Sequence, residues 1–371
     1  MKVLKRMRYA CGMALVPVVV HAQSSVTLYG QIDNGLSYAS NTGGSHTVKL
    51  DGGILFGNRW GLKGNEDLGS GNHAIFTLES GYSVNSGKAA QGGLAFGRQA
   101  FVGVQAPWGT VTAGRMYDSI TDFVAVLSPS QNATGYGTHQ GDYDRIGGQR
   151  LSNAVKYMSP VYRGLSFGML YSFSNTAGNF HDGSAYTMGA GYTNGPLTLG
   201  IVYAAFFKPT FDPYAGIGVS SFLGQTTATR DTTGAVTDTN TALVVDSSKL
   251  TEIGGSYAIT KAATLYVVVT HNAIKGFGRT SALNVYEGGL QYIFNPVWKL
   301  YAGYQHDTFE SHAWNQASAG LWYQFSKTTG IYGGVEYLRA SAGVDPVVGY
   351  SFTPSTSNQQ TVVRLGMFHF F

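Results

Sequence analysis

The chain has 371 residues, with 24 Lys+Arg against 20 Asp+Glu, 51 Gly, 24 Tyr, 20 Phe, 10 Pro and one Cys. Charged residues make up 12%, about half the usual share; the aromatic content excludes a disordered chain, and the glycine content excludes a mainly helical one. Mean hydropathy lies near zero, as it does when apolar and polar faces alternate along a membrane strand.

The N-terminus defines the compartment. Residues 2–8 carry Lys2, Lys5, Arg6 and Arg8 and no acid, and an apolar run from Ala10 to Val20 ends in Val20-His21-Ala22. A charged head, a short apolar core and a small-residue exit form a secretory signal, with cleavage after Ala22. The run is about half of the roughly 20 apolar residues that a helical span needs. The chain thus divides into a signal peptide, 1–22, and one domain, 23–371. Taking the four signal cations from 24 leaves 20 Lys+Arg against 20 Asp+Glu, so no basic face for nucleic acid is implied. Cys11 leaves with the signal, and a mature chain without thiols suits an oxidising periplasm.

Beyond the signal, period-2 alternation recurs almost to the end. Val26, Leu28, Ile32, Leu36 and Tyr38 face one way, and Thr27, Tyr29, Gln31, Asp33 and Ser37 the other. Phe56, Trp60 and Leu62 oppose Arg59 and Lys63, and Phe76, Leu78 and Tyr82 oppose Thr77 and Glu79. Less regular strands fall near 97–106, 110–117 and 150–158, before a clean row at Leu165, Phe167, Met169, Tyr171 and Phe173. Rows at Tyr186–Tyr192, Leu197–Phe207 and Ile253–Ile259 follow, with a further strand near 263–273. The last rows begin at Tyr286, Leu300, Ala319, Ile331 and Val363. Rows of about 9–11 residues cross a bilayer as tilted strands, and the total is about sixteen.

Connections alternate between short, as at Pro107-Trp108-Gly109 and Asn194-Gly195-Pro196, and long, as at 39–53, 83–95, 118–149, 208–248 and 341–360. The fold class is therefore all-β: a transmembrane antiparallel barrel with a polar lining, which leaves no unpaired edge in lipid. Trp60, Tyr192, Tyr292 and Phe371 read as interface aromatics. A soluble β-sandwich would bury its apolar rows and show fewer flanking aromatics.

Catalysis finds little support. His306-Asp307 and His271-Asn272 are neighbours in strands and point to opposite faces, while His139 and Asp142 merely share a loop. No GxSxG elbow or HExxH spacing occurs, so neither an enzyme nor a metal or other cofactor is expected.

Several stretches carry a resemblance as a set. They are Ser24-Ser25-Val26-Thr27-Leu28-Tyr29-Gly30, Asn58–Gly69, Gly97–Gly103, Gly114-Arg115, Arg150–Tyr157 and the terminal Phe371. Together they resemble the Gram-negative general diffusion porins of the trimeric, sixteen-stranded type, over the whole mature chain and most strongly in its first half. The resemblance implies an outer-membrane homotrimer in contact with outer-membrane lipid and lipopolysaccharide. It also implies insertion by the assembly machinery, read through Phe371, and passive diffusion of small hydrophilic solutes and ions. It implies a third loop, here 118–149, folded into the barrel to form an eyelet. Arg59, Arg98 and Arg150 would line the facing wall, Lys63 and Lys156 would extend it, and Asp122, Asp142 and Asp144 would supply loop acids. By simple alternation Arg98 shares the parity of Val102 and Val104, so an inward position requires a bulge or a strand end. Three cations against few acids imply mild anion preference. The alternative is a substrate-specific channel for a small organic acid or sugar, which a file of lumen aromatics would favour.

Overall fold

The computed structural model describes residues 25–232, 236–239, 242–349 and 351–371; the signal segment 1–22 lies outside them. Sixteen antiparallel strands close into one barrel. They are β1 (Ser25–Thr42), β2 (Ser45–Gly52 and Arg59–Gly69), β3 (Asn72–Gly81), β4 (Gln99–Ala106), β5 (Gly109–Tyr117), β6 (Arg150–Met158), β7 (Leu165–Ser172) and β8 (Ala185–Asn194). The remainder are β9 (Leu197–Phe207), β10 (Ser247–Ala258), β11 (Ala263–Gly276), β12 (Arg279–Asn295), β13 (Trp298–Phe309), β14 (His312–Gln324), β15 (Thr329–Ala340) and β16 (Gln359–Phe370).

Closure is made by β16 on β1, in register from Gln31 opposite Phe370 to Ala39 opposite Val362. Beyond that ladder, Phe371 and Gly30 exchange both backbone hydrogen bonds at 3.0 Å. Gly30 also admits the terminal ring, because a Cβ there would overlap the Phe371 side chain.

Alternation places the apolar rows outside, where Val26 is 63% and Leu365 64% exposed. In a membrane strand that exposure is contact with lipid. Aromatic pairs gather near the short turns, including Trp108 stacked on Tyr157 and Trp298 packed against Tyr323. Tyr192, Tyr292 and Phe371 lie at this end, whereas Trp60, opposite Gly30 on β1, packs against Phe96.

Two expectations change. Residues 39–53 are not a long loop: β1 runs to Thr42, a Gly43-Gly44 turn with positive φ reverses the chain, and β2 begins at Ser45. The outward row Val48 and Leu50 within this polar stretch is strand signal that its turn residues mask. The lining, too, is not uniformly polar. Leu283, Val285, Phe309, Trp314, Leu338 and Val362 face inward and form a buried cluster with Phe211, Ile217 and Phe222 from loop 208–246 and Val344 and Val348 from loop 341–358. Loops fill that part of the lumen and supply the apolar surroundings its wall requires.

Candidate functional site

The site is built where β2 breaks. Both pieces of β2 pair with β1, on either side of a segment, 53–58, that leaves the ladder. Asp33, buried on β1, holds this detour: its Oδ2 accepts from the backbone N–H of Leu55 at 2.7 Å and of Phe56 at 3.0 Å. Asn58 Oδ1 accepts from Asp33 N at 2.6 Å. The detour enters the lumen, lines a cavity of about 610 Å³ and delivers Arg59 to its wall.

Arg98 and Arg150 line the same cavity. Arg98 sits just before β4, which begins at Gln99, so a strand end turns it inward while Val102 and Val104 face lipid. Arg150 opens β6 opposite Tyr117. A register shift between Gly114 and Met116 lies alongside it, with Asn153 at φ 53°. Arg98 and Arg150 both donate through Nη2 to the Tyr117 hydroxyl, at 2.5 and 2.6 Å. The Arg150 guanidinium lies 4.4 Å from the Tyr117 ring centre.

One carboxylate answers these three cations. Glu79 on β3 is buried, accepts from Arg98 Nε at 2.9 Å and from the Tyr29 hydroxyl at 3.0 Å, and stands 4.0 Å from Arg59. Its parity, opposite Leu78, was readable as inward; its role was missed because nothing in the local pattern tied it to residue 98. Tyr117 was missed for the same reason.

The third loop forms the other side of the cavity through Thr121, Ala125, Val126, Gln131, Asn132 and Gly135. Short helices at Ser119–Phe123 and Pro129–Thr134 are capped by the side chains of Asp118 and Ser128. Asp122 and Lys156 form an ion pair, and Lys156 also donates to Tyr117 O at 3.1 Å. Asp142 and Asp144 turn from the cavity. Asp142 accepts from Gly147 N at 2.6 Å and Gln149 Nε2 at 2.5 Å, and burial pushes its carboxyl up to about 6. Asp144 accepts from Thr270 at 2.8 Å and lies 2.5 Å from His139 Nδ1. Lys63 is exposed on the inward parity of Arg59, toward the short-turn end, and does not line the cavity.

A cluster on the far wall fixes the loop. Glu287 accepts from Ser128 Oγ at 3.0 Å, Ser130 N at 2.8 Å and His139 Nε2 at 3.1 Å. Asp307 accepts from Gln140 N at 2.9 Å, and Glu336 accepts from Thr134. Thr121, Ala125 and Val126 therefore line the arginine cavity, while Asp144 is held against Thr270 on β11 and Asp122 against Lys156 on β6.

A closed antiparallel barrel with a lipid-facing apolar belt and a loop folded across its lumen is a channel protein of the bacterial outer membrane. This chain belongs to the Gram-negative porin family, whose profile matches residues 10–343. An outer membrane porin protein of Bordetella pertussis is 35% identical over 211 residues, 49% of this chain and 54% of that relative. The match thus spans about half the length of the Bordetella protein. Outer membrane porin protein 32 of Delftia acidovorans is 27% identical over 369 residues, 94% of this chain and 95% of that one. Among solved structures, the anion-selective porin from Comamonas acidovorans superposes with TM-score 0.73 at 21% identity, over 94% of this chain and all of that one. OmpT of Vibrio cholerae shares the fold at TM-score 0.66 and 16% identity, over 94% of this chain and 98% of that one.

Proposed function

We propose that the barrel is a water-filled channel for passive diffusion of small hydrophilic solutes and ions, with a mild preference for anions. Its eyelet is formed by Arg59, Arg98 and Arg150 facing the third loop. One observation carries this reading: among the described residues, three guanidiniums line the cavity, no carboxylate lines it, and Glu79 is buried behind them against Arg98 and Arg59. Low-dielectric walls focus the field of the unbalanced charge on the solute path. Lys63 extends that field toward the inner mouth. Lys156 and Asp122 cancel one another, and Asp142 and Asp144 hold the loop. A structural relative is itself described as anion-selective.

In this reading the chain is exported by residues 1–22, inserted by the assembly machinery through its Phe371 end, and surrounded by outer-membrane lipid and lipopolysaccharide. It assembles as a homotrimer, a form in which the OmpT relative is described. Solutes cross unchanged, so the channel performs no catalytic step. The test is the reversal potential of the porin in a planar bilayer under a salt gradient. Wild type shows anion preference that weakens as salt rises above 0.1 M, where screening acts over about 10 Å. Arg59→Ser lowers the anion-to-cation permeability ratio by roughly twofold, with oligomeric state unchanged. Cation preference in the wild type, or an unmoved ratio in the variant, overturns the eyelet assignment.

A further inference from the structure

On the short-turn side of the third loop, the inward face of β13–β16 carries aromatic rings where a water-filled lumen calls for polar groups. Gly303, Gly320 and Gly334 seat the loop on the wall. Tyr301, Trp322 and Tyr332 lie two residues nearer the short turns on the same strands, and so share the inward parity of those glycines. Phe368 and Phe370 follow on β16, opposite in parity to Leu365 and Met367 on the lipid face. Phe56 completes the group. Alternation with Trp60 would send it outward, but the 53–58 detour turns it into the lumen. Its ring centre lies 5.3 Å from that of Trp322, 4.9 Å from Phe368 and 5.1 Å from Phe370. Trp322 in turn lies 5.0 Å from Tyr301.

The group has a covered layer and an open one. Phe368 and Tyr332 are buried, whereas Phe56, Trp322 and Phe370 are half-buried and leave apolar surface to the lumen. Apolar surface left in water is unfavourable until a solute covers it. A flat solute covers it best, because two aromatic rings gain from their π-systems as well as from the area they bury.

Cations flank the open rings. Phe370 lies opposite Gln31 on β1, and Gln31 opposite Arg59 on β2, so a single strand separates the rings from the arginine cavity. Phe56 bridges the two, since it packs on Phe370 and also lines that cavity. On the other flank Lys299 of β13 lies opposite Trp322 and has the inward parity of Tyr301. A guanidinium presents fixed donors that match a carboxylate in charge and geometry. A solute that satisfies both surfaces is therefore flat and apolar on its faces and anionic at its edge.

We propose that Phe56, Trp322 and Phe370 form a binding subsite for small aromatic carboxylates, which stack on these rings with the carboxylate turned toward Arg59. The inference rests on the anion-preferring channel reading and names a solute class that the channel holds on its way through. The test records the current of the full-length protein in a planar bilayer in potassium chloride, with millimolar benzoate added on the short-turn side. Benzoate interrupts the current in resolved events. Acetate has the charge without the ring and benzamide the ring without the charge, and each gives events roughly fivefold shorter. Trp322→Leu shortens the benzoate events roughly fivefold, whereas Trp322→Phe, which keeps a ring, stays within about twofold of wild type. Should Trp322→Leu fail to insert, Phe370→Leu gives the same shortening. Absence of benzoate events, or equal lifetimes for benzoate and either acetate or benzamide, overturns the proposal, as do wild-type lifetimes in the leucine variants. Equal blockade by glucose overturns it as well, by marking the rings as a platform for sugars. The reversal potential is read on the same membranes. Anion preference without benzoate events refutes this subsite alone, and cation preference refutes the eyelet reading on which it rests.

Discussion

His139 is held by both ring nitrogens, Nδ1 at Asp144 and Nε2 at Glu287, with neither partner exposed. Burial alone would drive the proton off; Asp144 and Glu287 outweigh it and raise the imidazole well above its ordinary value of 6.5. Because the folded value is raised, this contribution is complete below 6.5 and is lost as pH climbs through the elevated value. Open-channel current noise should therefore rise on alkalinisation, as the third loop loosens from β12. His139→Gln should show that noise already at neutral pH, with loop docking weakened by about 1–3 kcal/mol. A noise level independent of pH in wild type would show that this histidine does not hold the loop. The sequence showed His139 and its neighbouring acids but not Glu287, which lies 148 residues away in the chain. Arg98 teaches a related lesson: parity along a strand has no authority over a residue one step outside it.

The third loop was legible from its length and its position between two strands. Its orientation was not, because a loop has no period from which to read inside and outside. Orientation comes from the wall. Gly303, Gly320 and Gly334 on β13–β15 lie beneath Ser130, Ala133 and Thr134, and a Cβ on Gly320 would collide with the Ala133 carbonyl oxygen. Gly320→Ala should push the second helix of the loop off the wall at a cost of about 1–3 kcal/mol. Gly333→Ala, where a Cβ meets only ordinary contacts at 3.7 Å, should be neutral. Single-channel conductance of the pair tests this: a changed level for Gly320→Ala beside a wild-type level for Gly333→Ala is expected, and equal levels would refute it. The break in β2 works similarly, since the Asp33 carboxylate gathers the 53–58 backbone into the lumen across an interval no local motif announces.

Barrel closure depends on the last residue meeting the first strand. Deleting Phe371 removes two backbone hydrogen bonds to Gly30 and the ring that covers that glycine. It should lower the fraction of protein recovered in the outer membrane severalfold, measured by membrane fractionation against wild type. Undiminished recovery would mean that the β16 ladder alone suffices for insertion.

Composition and alternation were enough for most strands, their outward rows and the closed all-β architecture, because a lipid-facing strand must be apolar at every second residue, but not for Ser45–Gly52, which its polar turn residues disguised as loop. The same rule predicted an inward Arg59. It could not reveal that loops 208–246 and 341–358 pack on an apolar inner wall, since a strand apolar on both faces gives no period to read. Nor could it reveal that Glu79, rather than a third-loop acid, sits among the arginines. Charge at the constriction is a sum over side chains from four strands and a loop, and only barrel closure brings those terms within reach of one another.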